Sequence, residues 1–571
     1  MTAKPEGYLQ ILPSKSSLQS PAIFGQADIL HHVQMSGLFK DSKCFVDLKL
    51  KRDPELIRAD FLKLAEHFGY RNRDLLQQFI VENFDLSTDA EFEEWDPVDW
   101  KTDIGFLLDN IRDESLRNLV TELHILWKTL SKKNAADIRQ NPSISTSIPL
   151  PHGFIIPGGR FKETYYWDTY WIVRGLLKSK MEETAKGIID NFLYLIKEHG
   201  FVPNGTRTYY LGRSQPPFLL SMMEKYTDKT QDFGFLERSL PLLEQEVRFF
   251  EEKRSLTVTL GDQSFFVFRY GSDCRGPRPE AYVEDMELAS HFDTDSEREE
   301  FFLHIKSAAE SGWDFSSRWI ISSDGSNQGT LENAKTNLIL PVDLNALMFK
   351  NYRLLSDYFE RFGNEEKSVH YKNKSIDLLN AISTIFWDAD EEMWFDFDLI
   401  HHSRRRYFYA SNLVPLWCRA YPLEQTSQVA KACVSYLERE KVLDHPGGLP
   451  TSKYETGQQW DFNCWPPLQH LIVSGLNKTE DWKAKEVAFQ IAKKYVQAAL
   501  VSCGNESDVC RIYEKYHPIL VGSAGGGGEY QVQVGFGWSN AVLLDLINYY
   551  GDYLITHDHL PDDLSIARCF T

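Results

Sequence analysis

Six segments of the sequence combine carboxylates with arginines, amides and large aromatic side chains. They are residues 157–171, 202–218, 274–282, 310–319, 457–467 and 513–538. Each contains Gly or Pro, which is typical of loops, yet surface loops are usually polar. Carboxylates, amides and guanidinium groups bind hydroxyls, and indole rings cover the apolar faces of a pyranose. The repeated combination therefore predicts one shared cleft for a carbohydrate.

Cleavage of a glycosidic bond needs two carboxyl groups in different protonation states. The candidates in these loops are Glu163, Asp168, Glu280, Asp314, Asp461, Glu514 and Glu529, and their spacing does not rank them. Asp314 lies between Trp313 and Phe315, and an apolar wall raises the pKa of a carboxyl, as an acid catalyst requires. Lys515 follows Glu514, where it either favours the ionised carboxylate or points to solvent.

The sequence lacks the residue patterns that several other kinds of chemistry require. The pairs at 31–32 and 401–402 are histidines without H-E-x-x-H spacing or neighbouring cysteines, so no metal site is predicted. The sequence has no G-x-S-x-G nucleophile motif and no phosphate-binding loop with its lysine. The glycine run 525–528 precedes Glu529 instead, which favours a flexible loop close to a neutral ligand. No cofactor is expected.

Helices must position these loops, because apolar residues recur at helical spacing from about residue 28 onward. The clearest pattern ends at Gly200, and Pro203 follows it. Further helices are predicted from Asp343 to Gly363, over 368–386 and over 539–550. Short alternation near 265 and 393 predicts hairpin pieces. The sequence thus indicates a mainly helical protein, and helices paired in a ring would bring their loops together at one rim.

The composition limits which partners the protein is expected to bind and which compartment it is expected to occupy. The chain has 571 residues, 82 acidic against 62 basic, for a net charge of −20, which argues against nucleic acid or an anionic membrane as partner. No apolar run predicts a membrane span, a secretory signal or a lipid anchor. Cys503 and Cys510 lie close in sequence, but eight sparse cysteines favour free thiols. A cytoplasmic protein is therefore expected.

One catalytic domain is predicted over 28–560. Residues 1–27 are expected to be a disordered extension, and 561–571 a tail.

The segment PGGRFKETYYWDTYW at 157–171 resembles the first signature of the trehalases, glycoside hydrolase family 37. The resemblance continues in order through VPNGTRTYYLGRSQPPF, RPE, ESGWDFSSRW, PVDLN, QQWDFNCWPPLQH, EKY and GGGGEYQVQVGFGW, and includes VQMSGLFKDSKCFVD at 33–47. It spans about residues 28 to 555. It implies an all-α (α/α)6 barrel with short β-hairpins, whose cleft is built from inter-helix loops. It also implies hydrolysis of α,α-trehalose by water to two glucoses, with inversion at one anomeric carbon.

The resemblance also implies roles for single residues. Asp314 matches the general acid and Glu514 the general base, although the residues alone leave Glu529 nearly equal to Glu514 as the base. Substrate-binding positions are Arg160, Trp167, Asp168, Asn204, Arg213, Ser214, Gln215, Arg278, Pro279, Glu280, Gly312 and Glu529. The loop tryptophans expected in the walls of the pocket are Trp167, Trp313, Trp460, Trp465 and Trp538.

Two departures from the family pattern keep alternatives open. The second signature, 459–467, is one residue shorter than usual and lacks its internal proline, which should shift Trp465. His517 stands where family members commonly have Asp. An active enzyme is favoured. The first alternative is a catalytically impaired protein that binds or senses trehalose, and the second is a glycosidase for another α-glucoside.

Overall fold

The helical periodicity of the sequence produces helices throughout the described chain. The computed structural model describes residues 24, 27–68, 72–87, 89–504 and 510–560. Within these ranges the α-helices are α1 (Ala27–Gln34), α2 (Ser42–Val46), α3 (Pro54–Phe68), α4 (Arg73–Asn83), α5 (Gly105–Leu108), α6 (Glu114–Thr129), α7 (Ala136–Gln140), α8 (Asp168–Lys178), α9 (Glu182–His199), α10 (Leu219–Thr230), α11 (Phe233–Lys253), α12 (Tyr282–Ala289), α13 (Asp295–Glu310), α14 (Val342–Arg361), α15 (Glu365–Ala381), α16 (Val414–Cys418), α17 (Thr426–Arg439), α18 (Pro466–Asn477), α19 (Trp482–Gly504), α20 (Gly537–Tyr550) and α21 (Tyr553–Thr556).

The strands are short and pair only in antiparallel fashion. They are β1 (Lys49–Leu50), β2 (Phe84–Asp85), β3 (Phe92–Glu93), β4 (Ser131–Asn134), β5 (Phe154–Ile155), β6 (Ser255–Leu260), β7 (Gln263–Phe268), β8 (Ile339–Leu340), β9 (Trp387–Asp388), β10 (Met393–Trp394), β11 (Phe397–Asp398) and β12 (Ser403–Arg404). The longest pair is the β6–β7 hairpin, in which Ser255 faces Phe268 and Leu260 faces Gln263. The hairpins expected near 265 and 393 are confirmed.

Six helices close into an inner ring. Helix α8 contacts α10, followed by α14, α16, α18 and α20, which returns to α8. Each inner helix alternates along the chain with an outer one, namely α6, α9, α11, α15, α17 and α19. Helices α18 and α20 are buried on almost every side, as expected for helices that are apolar all round. This arrangement is the predicted (α/α)6 barrel.

The alternation gives the inner helices a common direction, because each outer helix returns the chain to the same rim. Helix α8 begins directly after Trp167, α18 after Trp465 and α20 at Gly537. Helix α9 ends as predicted, with Gly200 in the left-handed region at φ 89°. The loops singled out in the sequence therefore meet at the N-terminal rim of the inner ring.

Two additions surround that rim. Between α11 and α14 the chain inserts β6, β7, α12 and α13, and α13 leads into the loop of Asp314. The amino-terminal helices form a second hydrophobic cluster, which includes Phe24 and Phe45 and packs on Tyr165 and Tyr282. The amino-terminal segment thus contributes to the support of the rim.

The predicted chain ends fall largely outside the described residues. Of the extension 1–27 only residues 24 and 27 are described, and none of the tail 561–571 is. Over the described ranges, every helix is too short or too polar to span a membrane.

The expectation of free thiols is wrong at one place. Cys503 and Cys510 form a disulfide, whereas Cys44, Cys418, Cys433 and Cys464 are free. Such bonds persist mainly in oxidising compartments.

Thiol titration of the denatured protein tests this bond. We expect two fewer reactive thiols before reduction than after it. The double variant Cys503→Ser/Cys510→Ser should give the same count in both states. Equal counts for the unmutated protein, purified without reductant, would contradict the assignment.

Candidate active site

All six loops contribute to one cavity at the N-terminal rim. Its lining residues are Arg160, Phe161, Tyr165, Trp167, Asp168, Asn204, Tyr210, Arg213, Gln215, Arg278, Glu280, Ala281, Ala309, Gly312, Asp314, Trp460, Trp465, Glu514, Glu529, Tyr530, Phe536 and Trp538. Both predicted catalytic carboxyls and ten of the twelve predicted binding residues are among them. The convergence expected from the sequence is present.

Two predicted binding residues and one predicted tryptophan do not line this cavity. Ser214 is buried behind the wall, where its hydroxyl donates to the carbonyl of Val202 at 2.7 Å. Pro279 begins a short 3₁₀ turn at the edge of the site. Trp313 stacks behind Trp460, with ring centres 5.4 Å apart. All three support cavity residues rather than face the cavity.

Asp314 is held by contacts between two loops. The amide of Trp460 donates to the carbonyl of Phe315 at 2.9 Å, and the Gln459 side chain donates to the carbonyl of Asp314. Burial raises the pKa of the Asp314 carboxyl to about 7, although Arg278 opposes the shift. Around neutral pH this carboxyl is therefore partly protonated, which a general acid requires.

Glu514 occupies an almost fully buried position. One carboxylate oxygen accepts a hydrogen bond from the Tyr530 hydroxyl at 2.8 Å, and the other accepts a long bond, 3.4 Å, from the Gln533 amide. The indole of Trp538 donates to the backbone carbonyl of Glu514 at 3.1 Å. Burial raises the pKa of Glu514, while Lys515 and Tyr530 oppose the shift. The carboxylate thus keeps acceptor capacity for a water molecule.

Lys515 and His517, which follow Glu514 in the sequence, face in different directions. Lys515 points inward and donates to the Gln459 side chain at 3.0 Å, with its ammonium 4.8 Å from the Trp465 ring centre. Burial lowers the pKa of Lys515 to about 8. His517 turns away, because its Nδ1 accepts hydrogen bonds from two amides of its own loop. The sequence departure at 517 therefore does not contact the carboxylate.

Asp168, at the first turn of α8, is a third carboxyl in the cavity. Burial raises its pKa well above the ordinary range, and the nearby Glu514 and Asp314 raise it further. Three carboxyls enclosed together do not all ionise. A protonated Asp168 can donate a hydrogen bond to a ligand hydroxyl.

Each cavity arginine is fixed by a carboxylate. Arg213 pairs with Glu280 at 2.5 Å, and Arg278 pairs with Asp285 at 2.7 Å. Although burial opposes ionisation, Arg213 and Arg278 lower the pKa of Glu280. These pairs keep the guanidinium forks rigid at the wall of the cavity.

Arg160 is held by the amino-terminal segment. Asp41, just before α2, pairs with Arg160 at 2.5 Å and caps the helix by accepting from the Lys43 amide. Asp41 lies in the sequence motif at 33–47. Its role depends on the contact with Arg160, which lies 119 residues further along the chain. The guanidinium also lies 5.2 Å from the ring centre of Tyr530.

The glycine run 525–528 leads into Glu529, a lining residue whose side chain is partly exposed. Gly526 donates its amide to Asn463 at 2.9 Å. A Cβ on Gly527, which has φ +74°, would lie 2.5 Å from the carbonyl of Gly457. These glycines therefore permit close packing on the 457–463 segment. Glu529 itself pairs with Arg278 at 2.9 Å.

The shortened 459–467 segment still places its tryptophans at the cavity. Trp460 and Trp465 stack with ring centres 3.9 Å apart and planes 2° apart, and the Trp465 indole donates to the carbonyl of Gln459 at 2.8 Å. Trp538 packs edge-on against Trp465 at 5.5 Å. The loss of a residue and a proline has not removed Trp465 from the wall.

Two of the seven candidate carboxylates serve the scaffold. Glu163 pairs with Lys43 at 2.7 Å, and this cation and Arg207 lower the pKa of Glu163 to about 2 in spite of burial. Asp461 accepts hydrogen bonds from Ser316 and Ser317, both at 2.8 Å, and so fixes the loop that follows Asp314. Neither carboxylate lines the cavity.

Sequence reasoning missed several aromatic lining residues: Phe161, Tyr165, Tyr210, Tyr530 and Phe536. All of them lie in the six loops, so their positions were visible, but many loop aromatics are instead buried in the scaffold. Tyr530, next to Glu529, becomes notable only through its bond to Glu514. In the described part of the chain, no cluster of three or more His, Cys, Asp or Glu is placed to hold a metal ion.

A cavity with one carboxyl of strongly raised pKa, a second buried carboxyl and tryptophan walls, at one rim of an (α/α)6 barrel, indicates the glycoside hydrolase class. The family model for trehalase matches residues 37–551. The trehalase of Apis mellifera is 42% identical over 538 residues, 94% of this chain and 85% of that relative. The trehalase of Homo sapiens is 41% identical, covering 95% of this chain and 92% of that relative. The chain belongs to the trehalase family.

A solved structure agrees on the fold. The neutral trehalase Nth1 from Saccharomyces cerevisiae superposes with a TM-score of 0.57 at 23% identity, covering 70% of this chain and 74% of that one. The barrel is therefore shared beyond close sequence relatives.

The pKa of Asp314 predicts the alkaline limb of the pH profile. Because the acid must be protonated and its pKa is about 7, kcat/KM for trehalose should fall through a midpoint near pH 7, by about tenfold per further unit. Glu529 raises this pKa, so Glu529→Gln should move the midpoint to lower pH. The exposed Glu366→Gln should leave it unchanged. An unchanged or higher midpoint in Glu529→Gln would contradict the electrostatic account.

Proposed function

We propose that the protein hydrolyses α,α-trehalose to two glucose molecules by an inverting mechanism, with Asp314 as general acid and Glu514 as general base. The observation that carries the proposal is the pair of enclosed carboxyls with different surroundings in one cavity. Membership of the trehalase family supports both the glycosidase class and the substrate.

Asp314 has the protonation state that bond cleavage needs. Its carboxyl, with the pKa held at about 7 by burial, donates a proton to the bridging oxygen as the glycosidic bond lengthens. Positive charge then develops on the sugar ring. Arg278 limits how far the pKa rises, so the acid can also release its proton.

Glu514 is the better placed of the two candidate bases. Glu529 is already paired with Arg278 at 2.9 Å, so the guanidinium occupies part of its hydrogen-bonding capacity. Glu514 lies deeper, oriented by Tyr530, and burial raises its pKa and so its basicity. It deprotonates a water that attacks the opposite face of the ring. We expect the two carboxyls to lie roughly 6.5–9.5 Å apart, leaving room for that water.

The remaining lining residues suit a neutral disaccharide. Carboxylates already paired with Arg213 and Arg278 leave hydrogen-bond donors and acceptors, without excess charge, for sugar hydroxyls. The stacked Trp460 and Trp465 present a flat apolar surface to a pyranose face. Trehalose joins two anomeric carbons, so both rings must fit in the cavity.

A trehalose-binding protein without activity is not favoured, because the 459–467 segment is seated against Asp314 and Trp465 lines the cavity. Glucose release from trehalose, compared with maltose and sucrose, separates the substrates. The cytoplasmic location stays a prediction from sequence, and the Cys503–Cys510 disulfide argues instead for an oxidising compartment.

Substitution of the two carboxyls tests the roles. Asp314→Asn and Glu514→Gln should each lower kcat for trehalose by about 10²–10⁴-fold, since removal of a positioned acid or base costs that much. Glu529→Gln should act mainly on KM. Glucose release in stopped assays measures all three.

Circular dichroism and thermal midpoints should match the unmutated protein in each variant. A fully active Glu514→Gln protein together with an inactive Glu529→Gln protein would transfer the role of base to Glu529. Saturable trehalose binding by the unmutated protein without glucose release would overturn the proposal.

A further inference from the structure

A second cavity, of about 430 Å³, opens at the opposite rim of the barrel. Its walls come from the middle and C-terminal parts of the inner helices α10, α14, α16, α18 and α20, and from the start of α19. Its lining residues are entirely different from those of the candidate active site. The active site is therefore not part of it.

The charge of this cavity is opposite to that of the protein. Six cationic side chains line it: Lys225, Lys350, Arg353, Arg419, Lys478 and Lys485. Its carboxylates are three, Glu224, Asp357 and Glu480. A chain with a net charge of −20 thus has a concave surface with an excess of positive charge, and low-dielectric walls strengthen the field inside such a cleft.

Part of this positive charge is not neutralised by ion pairs. Lys350 pairs with Glu224 at 2.6 Å, and Lys485 pairs with Glu480 at 2.5 Å. Among the residues that the structure describes, no carboxylate lies within 4.0 Å of the charged atoms of Lys478 or Arg353.

Lys478 shares its surroundings with a second cation. Its ammonium and that of Lys350 lie 5.2 and 5.3 Å from the centre of the same Trp417 ring. Burial, together with the charges of Lys350 and Lys225, lowers the pKa of Lys478 to about 7, although Glu224 opposes the shift. A bound anion would relieve this repulsion.

Helix dipoles explain only some of these cations. Arg419 and Lys478 follow the last residues of α16 and α18, where a cation is favourable. Lys225, Lys350 and Arg353 lie within helices, so the dipole of a helix end does not account for them. Their convergence on one cavity is a separate observation.

We propose that this cavity is a binding site for a small phosphate-bearing anion, with Lys478 and Arg353 as its principal ligands. A guanidinium fork and an ammonium are the donors that phosphate oxygens prefer. None of the residues that line the candidate active site lines this cavity. The shared chemistry is a dianionic phosphate group, either free or as a monoester.

Isothermal titration calorimetry of the full chain tests the site, with inorganic phosphate and glycerol 3-phosphate as probes against chloride at equal ionic strength. Saturable one-to-one binding of either probe is expected. Lys478→Met and Arg353→Gln should each weaken it at least tenfold while trehalose hydrolysis is retained. The exposed Lys431→Met, on α17, is the matched control and should bind as the unmutated protein does.

The two probes distinguish a phosphate monoester from free phosphate as the ligand. Binding of glycerol 3-phosphate alone would indicate a monoester, and binding of inorganic phosphate alone would indicate the free anion. Saturating trehalose should leave binding unchanged. The assignment would be overturned if neither probe binds, or if trehalose displaces a bound probe. It would also be overturned if both cavity variants, with unchanged thermal midpoints, bind the probes as tightly as the unmutated protein does. Two variants are used so that a folding defect in one leaves the other to decide.

Discussion

Exclusion of water from a few carboxyl groups at one rim of the barrel is the constraint on which the rest of the site depends. A carboxyl surrounded by protein holds its proton to higher pH than one in water, and Asp314 has its pKa raised to about 7 in this way. The same burial would neutralise every carboxyl in the cavity. Arg213 and Arg278 prevent this at Glu280, and Arg278 also pairs with Glu529. Burial and ion pairing together separate carboxyls of one chemical type into proton donors and charged partners.

The inner ring of helices provides the rigid base for this arrangement. Helices buried on all sides cannot shift without opening cavities in a close-packed core. The loops at their N-terminal ends then fix one another: Gln459 contacts the backbone of Asp314, Asp461 fixes Ser316 and Ser317, and Asn463 holds the glycine run. This loop network explains how the shortened second signature keeps Trp465 at the wall. Catalytic rates are sensitive to displacements of about 1 Å, so shifts of that size decide how the shortened signature affects turnover.

Much of the fold could be predicted from the sequence because it follows from local patterns. Helical spacing and the end at Gly200 predicted the helices, and loop composition predicted the shared cleft. What failed depends on contacts between distant residues. Asp41 holds Arg160 across 119 positions, and no local pattern distinguishes Trp313, behind the wall, from Trp460, in it. The disulfide between Cys503 and Cys510 was missed because spacing does not show whether two thiols meet.

The most direct test of the central account is the anomeric configuration of the first products. An inverting mechanism with Asp314 as acid and Glu514 directing water to the opposite face releases one glucose as the α anomer and one as the β anomer. Proton NMR of trehalose hydrolysis, recorded before mutarotation equilibrates the products, should show α- and β-glucose in equal initial amounts. Release of two α-glucose molecules would contradict inversion and with it the paired roles of the two carboxyls.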